Sequence, residues 1–175
     1  RLIAIDGKTL RRSLDAANGK AAIHMVSAWC AANHLVLGQV ATDAKSNEIT
    51  AIPELLKLLD LQGSVVTIDA IGCQKKIAAQ IVDQGGDYVL QLKGNQGGLH
   101  DETALLFDQC LRDDCLGISY TSAATTNGGH GRVEQRRIWV TPETGWFAER
   151  GKWKNLRSLA RVESRRTVNG KTSVE

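Results

Sequence analysis

Residues 65–74 read VVTIDAIGCQ, a run of apolar and β-branched side chains that breaks on an aspartate and a glycine. Val65 to Ile68 suit a pleated, buried strand, and Asp69 and Gly72 suit the turn that ends it. The same arrangement stands at the start of the chain, where Leu2-Ile3-Ala4-Ile5 runs into Asp6 and Gly7. One such site is a common turn signal. Two of them, 63 positions apart at Asp6 and Asp69, ask for a shared explanation.

Working outward, the order of elements predicts the fold class. Residues 2–8 read as a strand, and residues 21–42 as two more that meet near Ala32-Asn33-His34. Three strands without helices between them make an antiparallel meander. Residues 53–61 (PELLKLLDL) then carry Leu55, Leu56, Leu58 and Leu59 at helical spacing, with Pro53 suited to a first turn. The strand at 65–70 follows. A helix over 74–84 has Ile77, Ala78, Ile81 and Val82 on its core face, and Gly85-Gly86 stops it. Residues 87–93 (DYVLQLK) form another strand, and residues 99–112 a helix with Leu99, Leu105, Leu106 and Cys110 inward.

Strands joined through a helix run parallel by a right-handed crossover. The whole is an α/β, ribonuclease-H-like mixed sheet, a meander plus parallel strands, flanked by helices. In that layout the first strand lies beside the strand at 65–70, so Asp6 and Asp69 come to one edge. After residue 114 the texture changes. Residues 117–126 and 132–141 read as strands around a glycine-rich tip at 127–131, and residues 156–168 as another strand before the turn signal Asn169-Gly170. We therefore divide the chain into a core, 1–115, and an incomplete β-rich insertion, 116–175, built as one structural unit with it.

Composition narrows the function. The 175 residues are 42% hydrophobic and 23% charged, a globular composition. No stretch offers the ~18 uncharged apolar residues of a membrane span, which excludes a membrane partner. Residues 1–130 hold 11 Lys and Arg against 14 Asp and Glu, and residues 131–175 hold 11 against 5, so a net −3 precedes a net +6. That basic end suits a polyanion, although a solvated surface has the same composition. The four cysteines form no CxxC pair. They read as reduced thiols of a cytoplasmic protein, packed as small hydrophobes. The start at RLIAIDGK, almost on a strand, suggests a piece of a longer protein.

Paired carboxylates on adjacent strands have a defined chemistry. Magnesium takes oxygen ligands and keeps several waters, so few carboxylates suffice once phosphates complete the shell. Two such ions serve phosphodiester chemistry. Lys8, on the same strand face as Asp6, and Lys93, at the same edge, are suited to phosphate. Gln74 opens a helix whose N-terminus favours anions, and Asn95 follows Lys93 closely. Cys73 at that helix start is a rival nucleophile, with core packing the simpler reading. His24 and His34 read as satisfied core or edge histidines. His130 in the glycine tip suits a backbone phosphate, and the tryptophans read as core.

At this point the motifs show a resemblance. IAIDGKTLRRS at 3–13, SNEITAIPELL at 46–56, VVTIDAIGCQKKIA at 65–78, DYVLQLKGNQ at 87–96 and HGRVEQRR at 130–137 resemble the ISAs1-type transposases. These belong to the IS4-like, DDE class, with the H-repeat-associated proteins of bacteria. The resemblance implies a transposase that cuts DNA ends and joins them to a target with Mg²⁺ or Mn²⁺. It makes Asp6 and Asp69 the first two catalytic, metal-binding acids. It also implies a β-rich insertion, which suits residues 117–168, and a third acid, a glutamate in a tryptophan-rich helical motif. Glu134, Glu163 and Glu175 do not stand in such a context, so the third acid is expected beyond Glu175 and this chain is expected to be inactive. Expected DNA contacts are Lys8, Gln74, Lys93, Asn95, His130, Arg132, Arg136 and Arg137. A homodimer and a place beside the nucleoid complete the expectations. A ribonuclease-H-like nuclease without strand transfer and a non-catalytic DNA-binding relic are the alternatives.

Overall fold

The structure is a computed structural model and describes residues 1–13, 22–42, 48–112, 117–129 and 131–174. The chain forms two compact units. Arg1–His100 with Gly151–Asn155 make the first, and Asp101–Arg150 with Leu156–Glu175 the second.

The first unit is built on a five-stranded sheet of order β3-β2-β1-β4-β5. Its strands are β1 (Leu2–Thr9), β2 (His24–Cys30), β3 (Leu35–Thr42), β4 (Val65–Ile68) and β5 (Asp87–Leu90). The first three pair antiparallel, and β4 runs parallel to both β1 and β5. This is the expected mixed, ribonuclease-H-like sheet. Strand alternation puts Ile3, Ile5, Val26, Ala28, Val66 and Ile68 on one face. There they form a single core with Ala51, Ile52, Leu55 and Leu56 of α1 (Glu48–Lys57) and Ile77 and Ile81 of α2 (Lys75–Asp83).

The other face is uneven. The paired row Val36, Trp29, Ala4, Thr67 and Val89 crosses all five strands, and Val36, Trp29 and Val89 in it are exposed. Trp29 and Trp146 are both exposed, whereas Trp153 is buried, so the reading of the tryptophans as core holds at Trp153 but not at those two.

Several boundaries differ from the sequence reading. Helix α1 begins at Glu48, with Pro53 inside it. Proline there removes the bond to the carbonyl of Ile49, one exposed turn from the helix start. Burial of Ala51, Ile52, Leu55 and Leu56 carries the helix across that gap. Leu58 is 68% exposed because the helix has ended by then. Strand β5 stops at Leu90, since its partner β4 leaves the sheet after Ile68. Lys93 accordingly stands past the strand, before a 3-10 turn at Gly94–Gln96.

Helix α3 (Gly97–Arg112) starts in the first unit and continues in the second. Its buried stripe is Leu99, Thr103, Phe107 and Cys110, and Leu105, expected inward, is 62% exposed. The spacing of four, four and three residues is that of one helix face, and Leu105 lies off it. Cys110 is disulfide-bonded, which corrects the expectation of reduced thiols, while Cys30 and Cys73 are free. Cys115 lies outside the described residues.

The second unit carries an antiparallel sheet of order β6-β7-β8-β9. Its strands are β6 (Thr121–Gly129), β7 (Arg132–Thr141), β8 (Leu159–Val168) and β9 (Lys171–Val174), the last two joined by a turn at Asn169-Gly170. The glycine-rich segment is mostly strand. Asn127, Gly128 and Gly129 pair with Glu134, Val133 and Arg132, because ladder bonds are made by backbone and need no side chain. Helix α3, partly shared, contributes Asp108, whose carboxylate pairs with Arg161 of β8.

Candidate functional site

The parallel register of β1 and β4 sets Ile5 against Ile68. Asp6 and Asp69 are the next residues, on neighbouring strands about 4.8 Å apart. Strand β4 ends at Ile68, whereas β1 continues past Asp6 and Gly7 to Thr9, paired with β2, so the turn expected at Gly7 is not there. Both side chains are exposed, Asp6 because alternation turns it away from the Ile3–Ile5 face.

Past Ile68 the backbone turns sharply. The Asp69 Oδ1 accepts the Ile71 N–H at 3.1 Å, and the Asn95 Nδ2 donates to the Ala70 carbonyl at 2.7 Å. Gln74 Nε2 donates to the Ile71 carbonyl at 3.3 Å, and Gln96 Nε2 to that of Cys73 at 2.9 Å. Asn95 and Gln74, anticipated as DNA contacts, thus direct their amide N–H groups into the loop that carries Asp69. Gly72 is required here by space. A Cβ would lie 2.2 Å from Cγ2 of Ile68. Helix α2 then begins at the cap Gln74 without a side-chain cap, and Lys75 and Lys76 occupy its first turn. A helix N-terminus with two cations in its first turn favours anions. Lys8 and Lys93 are exposed.

A second network was not foreseen. His24 Nε2 meets Glu48 Oε1 at 2.6 Å, and its Nδ1 meets Thr9 Oγ1 at 3.0 Å. The Glu48 side chain is 14% exposed and fills the volume beside Gly7. A Cβ on Gly7 would stand 2.2 Å from Oε1. The network therefore grips β1 next to Asp6, on the opposite strand face. On the face of Asp6, Ser27 is its cross-strand partner, and Gln39 Nε2 donates to Ser27 Oγ at 2.9 Å. Ser27 breaking the apolar run of β2 was the signal for that polar row. Nothing local pointed to Glu48, whose partners are 24 residues or more away.

Cys73 is buried, and burial pushes its thiol up to about 11. A thiol held neutral is a poor nucleophile, which removes it as a rival. Carboxylate oxygens at Asp6 and Asp69 are of the hard donor type that Mg²⁺ or Mn²⁺ prefers. Among the described residues no three His, Cys, Asp or Glu side chains are grouped to hold a metal. The donor set fits the ion by type and leaves much of its shell to water or phosphate.

In the second unit, alternation separates the expected arginines. Arg132 and Arg136 share a face of β7 with Glu134, and Arg137 lies on the other. The Glu134 Oε1 is 2.9 Å from Arg132 Nη2 and 3.0 Å from Arg136 Nη2. A hydrogen bond from Arg132, backed by the charges of Arg132, Arg136 and Arg166, holds the Glu134 carboxyl below its usual range. His130 lies outside the described residues.

Comparison with known proteins gives the family. Residues 1–163 match the family model described as Transposase DDE domain. The "Uncharacterized protein in dhlA 3'region" of Xanthobacter autotrophicus is 47% identical over 99% of this chain and 57% of its own length. "Putative transposase YncI" of Escherichia coli O157:H7 is 50% identical over 90% of this chain and 40% of its own. "H repeat-associated putative transposase YhhI" of Escherichia coli K12 is 43% identical over 95% and 44%. The chain spans about half the length of these curated relatives.

Proposed function

The chain belongs to the DDE transposase family, and we propose that Asp6 and Asp69 are the first two metal-binding acids of a site that cleaves and rejoins DNA phosphodiesters. The observation that carries this reading is the β1–β4 register, whose last pair, Ile5 and Ile68, is followed on each of these neighbouring strands by an aspartate. A divalent ion bound there would activate the attacking oxygen and stabilise the leaving one. The chain's own residues would do the rest. Asp6 and Asp69 would supply anionic oxygens, with Asp69 oriented through its bond to the Ile71 N–H. Lys8, Lys93 and the N-terminus of α2 would bind phosphate oxygens. Asn95 and Gln74 would keep the Asp69 loop in shape beside the DNA. In this reading residues 1–115 are the catalytic core and 116–175 the insertion.

DNA ends and a target duplex are the substrates implied by strand transfer, in a bacterial cytoplasm beside the nucleoid. No helix of the described residues is long and apolar enough to cross a membrane. With no third carboxylate grouped beside the pair among the described residues, residues 1–175 alone should nick DNA poorly or not at all.

Mn²⁺ titration of the whole chain tests the site. Paramagnetic broadening should centre on the backbone amides of residues 6 and 69. It should vanish there in Asp6→Asn with Asp69→Asn, and broadening that persists in this variant would remove the metal assignment.

A further inference from the structure

The basic character of the second unit is unevenly placed. Taking β7 as reference, Arg132, Glu134 and Arg136 share a face with their register partners on β8, Val168, Arg166 and Ser164. Lys171 opposes Val168 across the last hairpin and joins the same face. The described residues of this face thus bring together four cations around the single carboxylate of Glu134. Arg132, Arg136 and Arg166 are all exposed. Val162, further along this face, is 56% exposed, while Ile138, Val140 and Ser164 on it are half-buried.

The opposite face carries fewer cations and is closed at one end. It carries Arg137, Arg161 and Arg165, but Arg161 pairs with Asp108 and Arg165 Nη2 lies 3.7 Å from Glu163 Oε1. Its far end, Thr141 and Leu159, is buried.

We propose that the Arg132–Arg136–Arg166–Lys171 face of this sheet is a binding surface for the phosphate backbone of duplex DNA. Three features support phosphate over an acidic protein. The cations are mostly guanidinium groups, whose planar forks match phosphate oxygens. The intervening side chains Thr125, Asn127, Ser164 and Ser173 are short and polar, which suits a hydrogen-bonding backbone, and no aromatic side chain of the kind that anchors protein interfaces stands among them. At the hairpin end Arg166 and Lys171 border an open concavity of about 500 Å³ with Asn169, Thr172 and Ser173. Glu134 holds Arg132 and Arg136 in a fixed array, so less side-chain freedom is lost on binding. Contacts of this kind carry no base readout, and binding is independent of sequence.

The inference rests on DNA being the partner of this chain, and its test is separate from that of the metal site. Binding of the whole chain to a mixed-sequence duplex is followed by fluorescence anisotropy between about 50 and 200 mM salt. Arg136→Gln with Arg166→Gln should weaken binding about tenfold at the lower salt and reduce the slope of log affinity against log salt by about 2. Arg137→Gln with Arg165→Gln, on the other face, should change the affinity less than twofold. All four positions are exposed, and unchanged melting curves confirm that both variants fold. Equal losses from the two pairs, or a greater loss from Arg137 and Arg165, overturn the assignment. So does polyglutamate that competes as well as DNA of equal charge, which would mark an acidic protein as the occupant. Absence of duplex binding by the unaltered chain also overturns it, while Mn²⁺ broadening at residues 6 and 69 would still judge the catalytic reading on its own.

Discussion

Gly7 is the residue where strand chemistry and the candidate site meet. Its missing side chain leaves room for the Glu48 carboxylate, which His24 holds from the other side. Gly7→Ala would force the carboxylate from that place or shift β1, and overpacking of this kind costs about 1–3 kcal/mol. Denaturation with urea should show that loss, whereas Glu48→Gln, which keeps the shape, should lose less. Asp6 and Asp69 behave differently. They are exposed, so their replacement by Asn should leave stability within about 0.5 kcal/mol and act only on metal binding. Both aspartates were legible in the sequence as polar breaks after apolar runs, although the turn expected at Gly7 is absent and β1 continues through Asp6 to Thr9. Glu48 was not, because its role depends on a glycine and a histidine from two other strands.

At the level of elements, α1 shows how burial overrides local rules. Proline inside the helix is tolerated because four buried side chains hold the helix to the sheet. Leu55→Ala should therefore cost about 2–5 kcal/mol as a buried cavity. Leu58→Ala, on an exposed turn, should cost less than about 0.5 kcal/mol, and thermal unfolding separates the two. The edge formed by α2 and β5 has a pH signature. Burial raises Cys73 from 9.0 to about 11, and burial together with the nearby Cys73 raises Tyr88 from 10.0 to about 12. In the unfolded chain both ionise at lower pH than in the fold. Their contribution to stability is complete below pH 9 and is lost as the pH climbs through about 11 and 12. Urea midpoints should fall over that range, and Cys73→Ala should remove the earlier part of the fall.

At the scale of the whole molecule, each unit leaves one sheet face open. The first exposes the apolar row of Val36, Trp29 and Val89, and the second exposes the cationic face of β7, β8 and β9. Apolar rows of this kind bind hydrophobic dyes and favour association. Trp29→Ser with Val36→Ser should lower dye fluorescence and reduce any concentration-dependent association seen in sedimentation, with little change in melting. Unchanged fluorescence would mean that the row is too small to act as a patch.

The sequence alone determined the order of strands and helices, the place of two aspartates after apolar runs, and the family. Those properties follow from short-range signals: alternation, helical spacing, aspartates that break apolar runs and contiguous motifs. Tertiary structure decided the rest. Adjacent Arg136 and Arg137 must point to opposite faces of a strand, but which cations join each of them on its face depends on the register of β7 with β8. The inward stripe of α3, the early start of α1 and the grip of His24 and Glu48 on β1 likewise depend on partners far along the chain. Burial and pairing are properties of neighbours in space, and a local pattern is compatible with more than one set of them.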